Sequence, residues 1–131
     1  MNKKVAEKTI LLVDDDAFLL DMYAVKFKEH GFTVKIALSG VDVLAKSNED
    51  DKPDVILLDV VMPSIDGIEL LRRIKKEKLA PNAVIIMLSN QGTPEIIAEA
   101  DKLGADGFII KASTIPSEVC DRVLALIEEK K

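Results

Sequence analysis

Apolar residues along this chain fall into two alternating patterns. Five short runs are apolar at most positions: Ile10 to Val13, Thr33 to Ala37, Val55 to Leu58, Ala83 to Leu88 and Phe108 to Ile110. They are rich in Ile, Val and Leu, the composition of strands covered on both faces. Between them, five stretches repeat apolar residues every three or four positions, the period of a helix with one buried face. The first starts near Ala17, places Leu20, Tyr23, Ala24 and Phe27 on one face, and stops at His30-Gly31, a C-terminal signal. The second runs from Gly40 to about Ser47 with Val41, Leu44 and Ala45 inward. The third covers about Asp66 to Lys78, with Ile68, Leu71 and Ile74 or Lys75 around the turn. The fourth opens with Thr93 as N-cap and Pro94 at the first helical position, and stops at Leu103-Gly104. The fifth spans roughly Ile115 to Glu129, with Val119, Val123, Leu126 and Ile127 inward. Five strand–helix units in succession predict an α/β fold, a parallel sheet with helices on both faces. The expected form is the flavodoxin-like (βα)5 sandwich with strand order 2-1-3-4-5. One domain over residues 9–131 is expected behind a flexible tail of residues 1–8.

The strand exits break the apolar pattern in a consistent way. Strand one runs into Asp14-Asp15-Asp16 and strand three into Asp59, while strand four ends at Ser89 and strand five at Lys111. A desolvated carboxylate needs a compensating partner, so acids at buried strand ends point to a shared pocket. In open α/β sheets the carboxyl edge is where ligands bind. Two carboxylates ~5 Å apart repel by about 3 kcal/mol at an effective dielectric near 20. Three of them call for a cation, and an all-oxygen set with few protein ligands suits Mg²⁺. A metal, the Lys111 ammonium and the Ser89 hydroxyl around one carboxylate form an electrophilic cradle for a phosphoryl group in transfer. Asp59 is the candidate nucleophile, giving an acyl phosphate. Asp16 and Asp66 read instead as turn or N-cap residues.

Composition narrows the function classes. The 131 residues carry 18 basic and 23 acidic side chains, a net charge of −5, which argues against direct nucleic-acid binding. Cys120 is the single cysteine, so no internal disulfide can form, and its apolar helical neighbours predict a buried, inert thiol. Met1 to Lys8 lacks the apolar stretch of a signal peptide, and no run approaches the roughly 20 apolar residues of a membrane span. The expectation is a cytoplasmic protein without a membrane partner. His30 reads as structural, and the basic run from Arg72 to Lys78 as a solvated helix face.

Taken together, the blocks resemble the receiver domain of two-component response regulators over nearly the whole chain. They are Val13-Asp14-Asp15, Leu57-Leu58-Asp59 with Met62-Pro63 and Asp66-Gly67, Leu88-Ser89, Gly104-Ala105-Asp106-Gly107-Phe108, and Lys111, in matching order and spacing. The resemblance implies a phosphorylation-controlled switch, not an enzyme with a separate substrate. Asp59 would accept a phosphoryl group from a histidine kinase or phosphotransfer protein. Asp15, Asp59 and the backbone carbonyl of Val61 would hold Mg²⁺ directly, with Asp14 acting through a water. Ser89 would hydrogen-bond the phosphoryl group, Lys111 would pair with it, and Phe108 would be the aromatic switch. The surface of helix four, strand five and helix five would then alter its affinity for an output partner, with the protein a monomer or a phosphorylation-dependent dimer.

Three positions depart from the family pattern. Ala112 follows Lys111 where proline is usual. The peptide is therefore either cis at a cost of ~2.5–4 kcal/mol, or trans with Lys111 aimed differently. Asn90 follows Ser89 where a small residue is common. Val61 cannot orient an attacking water through its side chain, which predicts slow self-hydrolysis of the phosphoryl group. Two other readings stand beside the switch. One is a pseudo-receiver that docks without being phosphorylated. The other is a Mg²⁺-dependent phosphohydrolase of the haloacid dehalogenase kind, which Asp14 and Asp16 match weakly and Val61 argues against.

Overall fold

The computed structural model describes residues 8–45 and 52–130. Residues 1–7 of the expected tail and the expected helix end at Ser47 lie outside the described residues. The elements are β1 (Thr9–Val13), α1 (Ala17–Glu29), β2 (Thr33–Ala37), α2 (Gly40–Ala45), β3 (Val55–Leu58), α3 (Gly67–Lys76), β4 (Val84–Ser89), α4 (Pro94–Lys102), β5 (Gly107–Ile110) and α5 (Pro116–Lys130). The five strands form one parallel sheet, as the alternation of patterns predicts, in the expected flavodoxin-like order β2-β1-β3-β4-β5.

Successive strand residues face opposite sides of the sheet, so each strand feeds two cores. Ile10, Leu12, Val55, Leu57, Ile86 and Leu88 pack against Leu20, Tyr23 and Phe27 of α1 and Val119, Val123 and Ile127 of α5. Val13, Ile56, Leu58, Ile85 and Met87 pack against Leu70, Leu71 and Ile74 of α3, Val43 of α2 and Ala100 of α4. The central strands β3 and β4 are buried at every position, whereas the edge strand β2 is only partly covered. That edge position explains why Thr33 and Lys35 interrupt its apolar run.

Side chains fix where the helices begin. Asp16, Asp66 and Thr93 each accept a hydrogen bond from the backbone N–H three residues on, from Leu19, Glu69 and Ile96. Each thereby satisfies one of the N–H groups that a helix start leaves unpaired. α1 closes at His30 and turns through Gly31 at φ 94°, a conformation glycine adopts freely. The His30 ring lies 3.0 Å from the Lys26 carbonyl oxygen and 3.3 Å from the Cys120 sulfur, joining α1 to α5. Burial pushes the Cys120 thiol up to about 11, in keeping with an inert residue.

The inward face of α2 differs from the expected one. Val43 is buried, while Val41 and Ala45 are exposed. With only six residues, this helix is too short for periodicity to fix its phase. Its contact is set instead by Gly40, where a Cβ would lie 3.0 Å from the Cβ of Ile65. In α3, Leu70 takes the buried place and Ile68 is half-buried. The helix stops at Lys76, because Lys78 adopts a φ of 54°.

Candidate functional site

Sheet register brings the strand-end residues together. Val13 lies opposite Leu58 across β1 and β3, so the next residue on each strand, Asp14 and Asp59, leaves the sheet beside the other. Asp59 N–H donates to the Val13 carbonyl at 3.0 Å and Asp14 N–H to the Ala37 carbonyl at 3.2 Å, extending the ladder to the acids themselves. Ser89 is the last residue of β4 and pairs with Ile110, after which comes Lys111. The strand order reverses between β1 and β3, the switch point at which α/β sheets open a crevice.

The acids differ in burial. Asp14 is 3% exposed, Asp59 6% and Ser89 1%, whereas Asp15 is exposed at the rim. One carboxylate oxygen from each of Asp14, Asp15 and Asp59 lies within 4.8 Å of the others. Asp14 also accepts from Asp16 N–H at 3.0 Å, which ties the acid to the start of α1. Asp59 accepts from Val61 N–H at 3.4 Å, and Ser89 Oγ accepts from Gln91 N–H at 3.1 Å.

Lys111 supplies the opposing charge. Its Nζ lies 2.5 Å from Asp14 Oδ2 and 3.4 Å from Asp59 Oδ2. The Lys111–Ala112 peptide is trans, and Lys111 to Ser113 form a short 3-10 turn closed by Thr114 N–H on the Lys111 carbonyl. The trans alternative therefore holds, and the turn aims the ammonium at both acids.

These charges do not balance at Asp59. Burial raises its pKa above the usual carboxylate range and the Asp14 charge adds to the rise, while Lys111 and the Ser89 hydroxyl draw it down. For Lys111, burial alone would depress the ammonium. Its hydrogen bond to Asp14 and the charges of Asp59 and Asp14 outweigh that, and its pKa is raised. The site is thus an acid pair short of positive charge. Three oxygen donors at this spacing, one of them at the mouth, could hold a hard divalent cation.

Two residues join the site without a sequence signal for that role. Gly67 packs so closely that a Cβ there would lie 1.9 Å from the Asp59 carbonyl oxygen, and its N–H donates to the Val60 carbonyl at 2.7 Å. The loop after Asp59 can fold back onto its own start only with glycine at this position. Tyr23, which periodicity places in the core, also borders Asp14 and Asp59. Phe108 sits apart from the acids, half-buried beside α4, in a groove shared with Ile97 and Ala100.

Residues 10–123 match the response regulator receiver domain family. The chain belongs to that family. Its receiver fold is shared with the BeF3-activated receiver domain of DrrB from Thermotoga maritima, at a TM-score of 0.79 and 29% identity, covering 92% of this chain and 97% of that one. The CheY chemotaxis protein of Listeria monocytogenes is 36% identical over 121 residues, covering 92% of this chain and 95% of the relative. The phosphate regulon transcriptional regulatory protein PhoB of Pseudomonas aeruginosa is 38% identical over 120 residues, covering 92% of this chain but 52% of PhoB. The chain spans about half the length of the first curated relatives it matches, at 52%, 51% and 48%. Receiver domains are switches of two-component signalling, not enzymes acting on a separate substrate, which sets aside the phosphohydrolase alternative. Among the described residues, no helix is long and apolar enough to cross a membrane.

Proposed function

We propose that this receiver domain accepts a phosphoryl group on Asp59 from the phosphohistidine of a histidine kinase or phosphotransfer protein. The observation that carries the reading is the buried, cation-poor acid pair at the sheet's switch point, facing one lysine. An Asp59 carboxylate oxygen attacks phosphorus as the phosphorus–nitrogen bond breaks, and the imidazole leaves with the electron pair. Ser89 and Lys111 stand beside Asp59 and can donate to the phosphoryl oxygens as charge builds on them. Mg²⁺ fits the oxygen donors; Asp15, Asp59 and the Val61 carbonyl would hold it, with Asp14 through a water, and it would supply positive charge against the phosphoryl oxygens.

The added group carries roughly −1.5 to −2 charge and three acceptor oxygens. Lys111 then has a stronger partner than Asp14, and its turn, which leads into α5, is biased toward a second arrangement. The response reaches the face of α4, β5 and α5, where Phe108 and Ile97 border the groove that an output partner would sense. Val61 offers no polar side chain to an attacking water, so the phosphoryl group is long-lived. The setting is the cytoplasm, and the protein acts as a monomer or as a dimer formed on phosphorylation.

The test is intact mass after incubation with acetyl phosphate and Mg²⁺, beside an Asp59→Asn variant and an EDTA control. A single phosphoryl adduct on the wild type alone supports the reading. No adduct under any donor or metal condition sinks it in favour of a docking module that works unphosphorylated.

A further inference from the structure

α4 is the helix least fastened to the sheet. Of its nine residues, Ala100 alone is buried and Ile96 half-buried, whereas α1, α3 and α5 each bury four. Its polar ties are as few. Among the described residues, one side-chain bond joins α4 to another element, from Arg72 of α3 to Glu99 at 3.1 Å. The same guanidinium also binds Glu69, one turn earlier on α3. Glu69 thus orders the Arg72 side chain in advance, and less of its freedom is lost to the bond with Glu99. An exposed ion pair adds little where packing dominates. Here the packing is sparse, so the pair is a large share of what holds α4 in place.

α4 also stands between the acid site and the face proposed for an output partner. Its Ile96 and Glu99 wall a groove with Val61 and Gln91, at the rim of the site. Its Pro94, Ile97 and Ala100 wall another with Phe108. A short loop joins Ser89 to the helix: Gln91 N–H donates to Ser89 Oγ, Gly92 follows, and Thr93 caps α4. Gly92 lies so close to Ile110 that a Cβ there would meet its Cδ1 at 2.1 Å. A shift of Ser89 toward a phosphoryl group therefore acts on a tightly packed loop and, through it, on the first turn of α4. Elements that move in a switch are drawn from the least stable parts of a fold.

Resting on the reading of Asp59 as phosphoacceptor, we infer that the Arg72–Glu99 ion pair is an autoinhibitory latch. It holds α4 against α3 in the unphosphorylated protein and opposes the arrangement that the phosphoryl group favours. Glu99 lies past the first turn of α4, so displacing the start of the helix draws its carboxylate away from Arg72. Breaking the pair in the unmodified protein raises the population of the active arrangement. A ligand that prefers that arrangement then binds more tightly, in proportion to the population gained.

Glu99→Gln removes the charge and keeps the shape. Amide hydrogen exchange of the unmodified protein, read by mass spectrometry, is expected to run about twofold to fivefold faster across α4, the range for one exposed ion pair, and to be unchanged in α1 and α5. Calorimetric titration with trifluoroberyllate, a reversible stand-in for the phosphoryl group, is then made in the presence of Mg²⁺. Glu99→Gln is expected to raise the affinity by the same factor. Reversing the pair, Arg72→Glu with Glu99→Arg, is expected to return both readouts to wild-type values, because Glu69 remains to order the relocated guanidinium. Unchanged exchange in α4 would overturn the tie, and faster exchange throughout the chain would reduce it to general stability. Faster exchange in α4 with unchanged or weaker affinity would overturn the autoinhibitory role. A reversed pair that behaves like Glu99→Gln would overturn the pairing as its cause. A wild type that neither binds trifluoroberyllate nor takes a phosphoryl group overturns both the latch and the phosphoacceptor reading. A wild type that does both, beside an indifferent Glu99→Gln, overturns the latch alone.

Discussion

Replacing Asp59 with asparagine is expected to stabilise the unmodified protein at neutral pH. At an effective dielectric near 20, the Lys111 ammonium at 3.4 Å attracts the Asp59 anion by about 5 kcal/mol. Asp14, with a carboxylate oxygen no more than 4.8 Å away, repels it by about 3.5 kcal/mol, and the exposed Asp15 adds about 1 kcal/mol of water-screened repulsion. These pairwise effects nearly cancel, so the burial of the anion decides the sign, and burial is the largest cause of the raised Asp59 pKa. Asparagine keeps a side-chain oxygen for the Val61 N–H and removes the buried charge. The expected gain is about 1–2 kcal/mol at pH 7. For a chain of this size that is a rise of about 4–7 °C in melting temperature.

The pH dependence follows from the direction of the shift. With the folded pKa above the unfolded one, the folded chain binds more protons between the two values, and stability falls as pH climbs through that window. The advantage of Asp59→Asn is therefore full above the folded pKa and disappears below the unfolded value, ~4. Thermal unfolding followed by circular dichroism with EDTA present, for both proteins from pH 7 down to ~3, measures it. An asparagine variant that melts below wild type at pH 7 would refute the reasoning, because the Lys111 pair would then outweigh burial. So would an advantage that persists unchanged at the acid end.

Lys111→Met leaves Asp14 and Asp59 facing each other without their cation, and should cost about 2–4 kcal/mol at pH 7 by urea unfolding. Part of that loss should return as pH falls and Asp59 protonates; a loss that does not depend on pH would contradict the electrostatic cause. Gly67→Ala must displace the Asp59 carbonyl or the loop itself, since its Cβ would sit 1.9 Å from that oxygen. A drop of at least about 3 kcal/mol in stability is expected from calorimetry, and a near-neutral result would contradict the close packing. Val61→Asn should shorten the lifetime of the phosphorylated state, measured by intact mass over time after donor removal, and an unchanged or longer lifetime would count against slow self-hydrolysis at Val61.

The acids and their partners were legible because they violate the local pattern. Asp14, Asp59, Ser89 and Lys111 each end an apolar run whose burial leaves a polar residue unexplained, and parallel register then brings them together. The parallel sheet was legible through the repeated strand–helix alternation, and its order matches the flavodoxin-like form expected for five such units. What escaped depends on contacts that local periodicity cannot encode. Val43 rather than Val41 faces inward because the six-residue α2 is phased by Gly40 against Ile65. The aim of Lys111 turns on a 3-10 turn after β5, where the sequence left cis and trans geometries open. Tyr23 reads as core from its spacing and is core, yet its neighbours across the sheet end include both acids. Gly67 was visible only within the Asp66-Gly67 block, without the close approach to the Asp59 backbone that requires it.

The central claim is that Asp59 receives the phosphoryl group. Borohydride reduction of the acetyl-phosphate-treated protein, followed by peptide sequencing by mass spectrometry, reads the position directly, because an aspartyl phosphate is reduced to homoserine. The account predicts homoserine at position 59 and at neither 14 nor 15, with none when Asp59→Asn is treated in the same way. Homoserine at Asp14 or Asp15 in the wild type, or at no aspartate while a phosphoryl adduct is present, would contradict it.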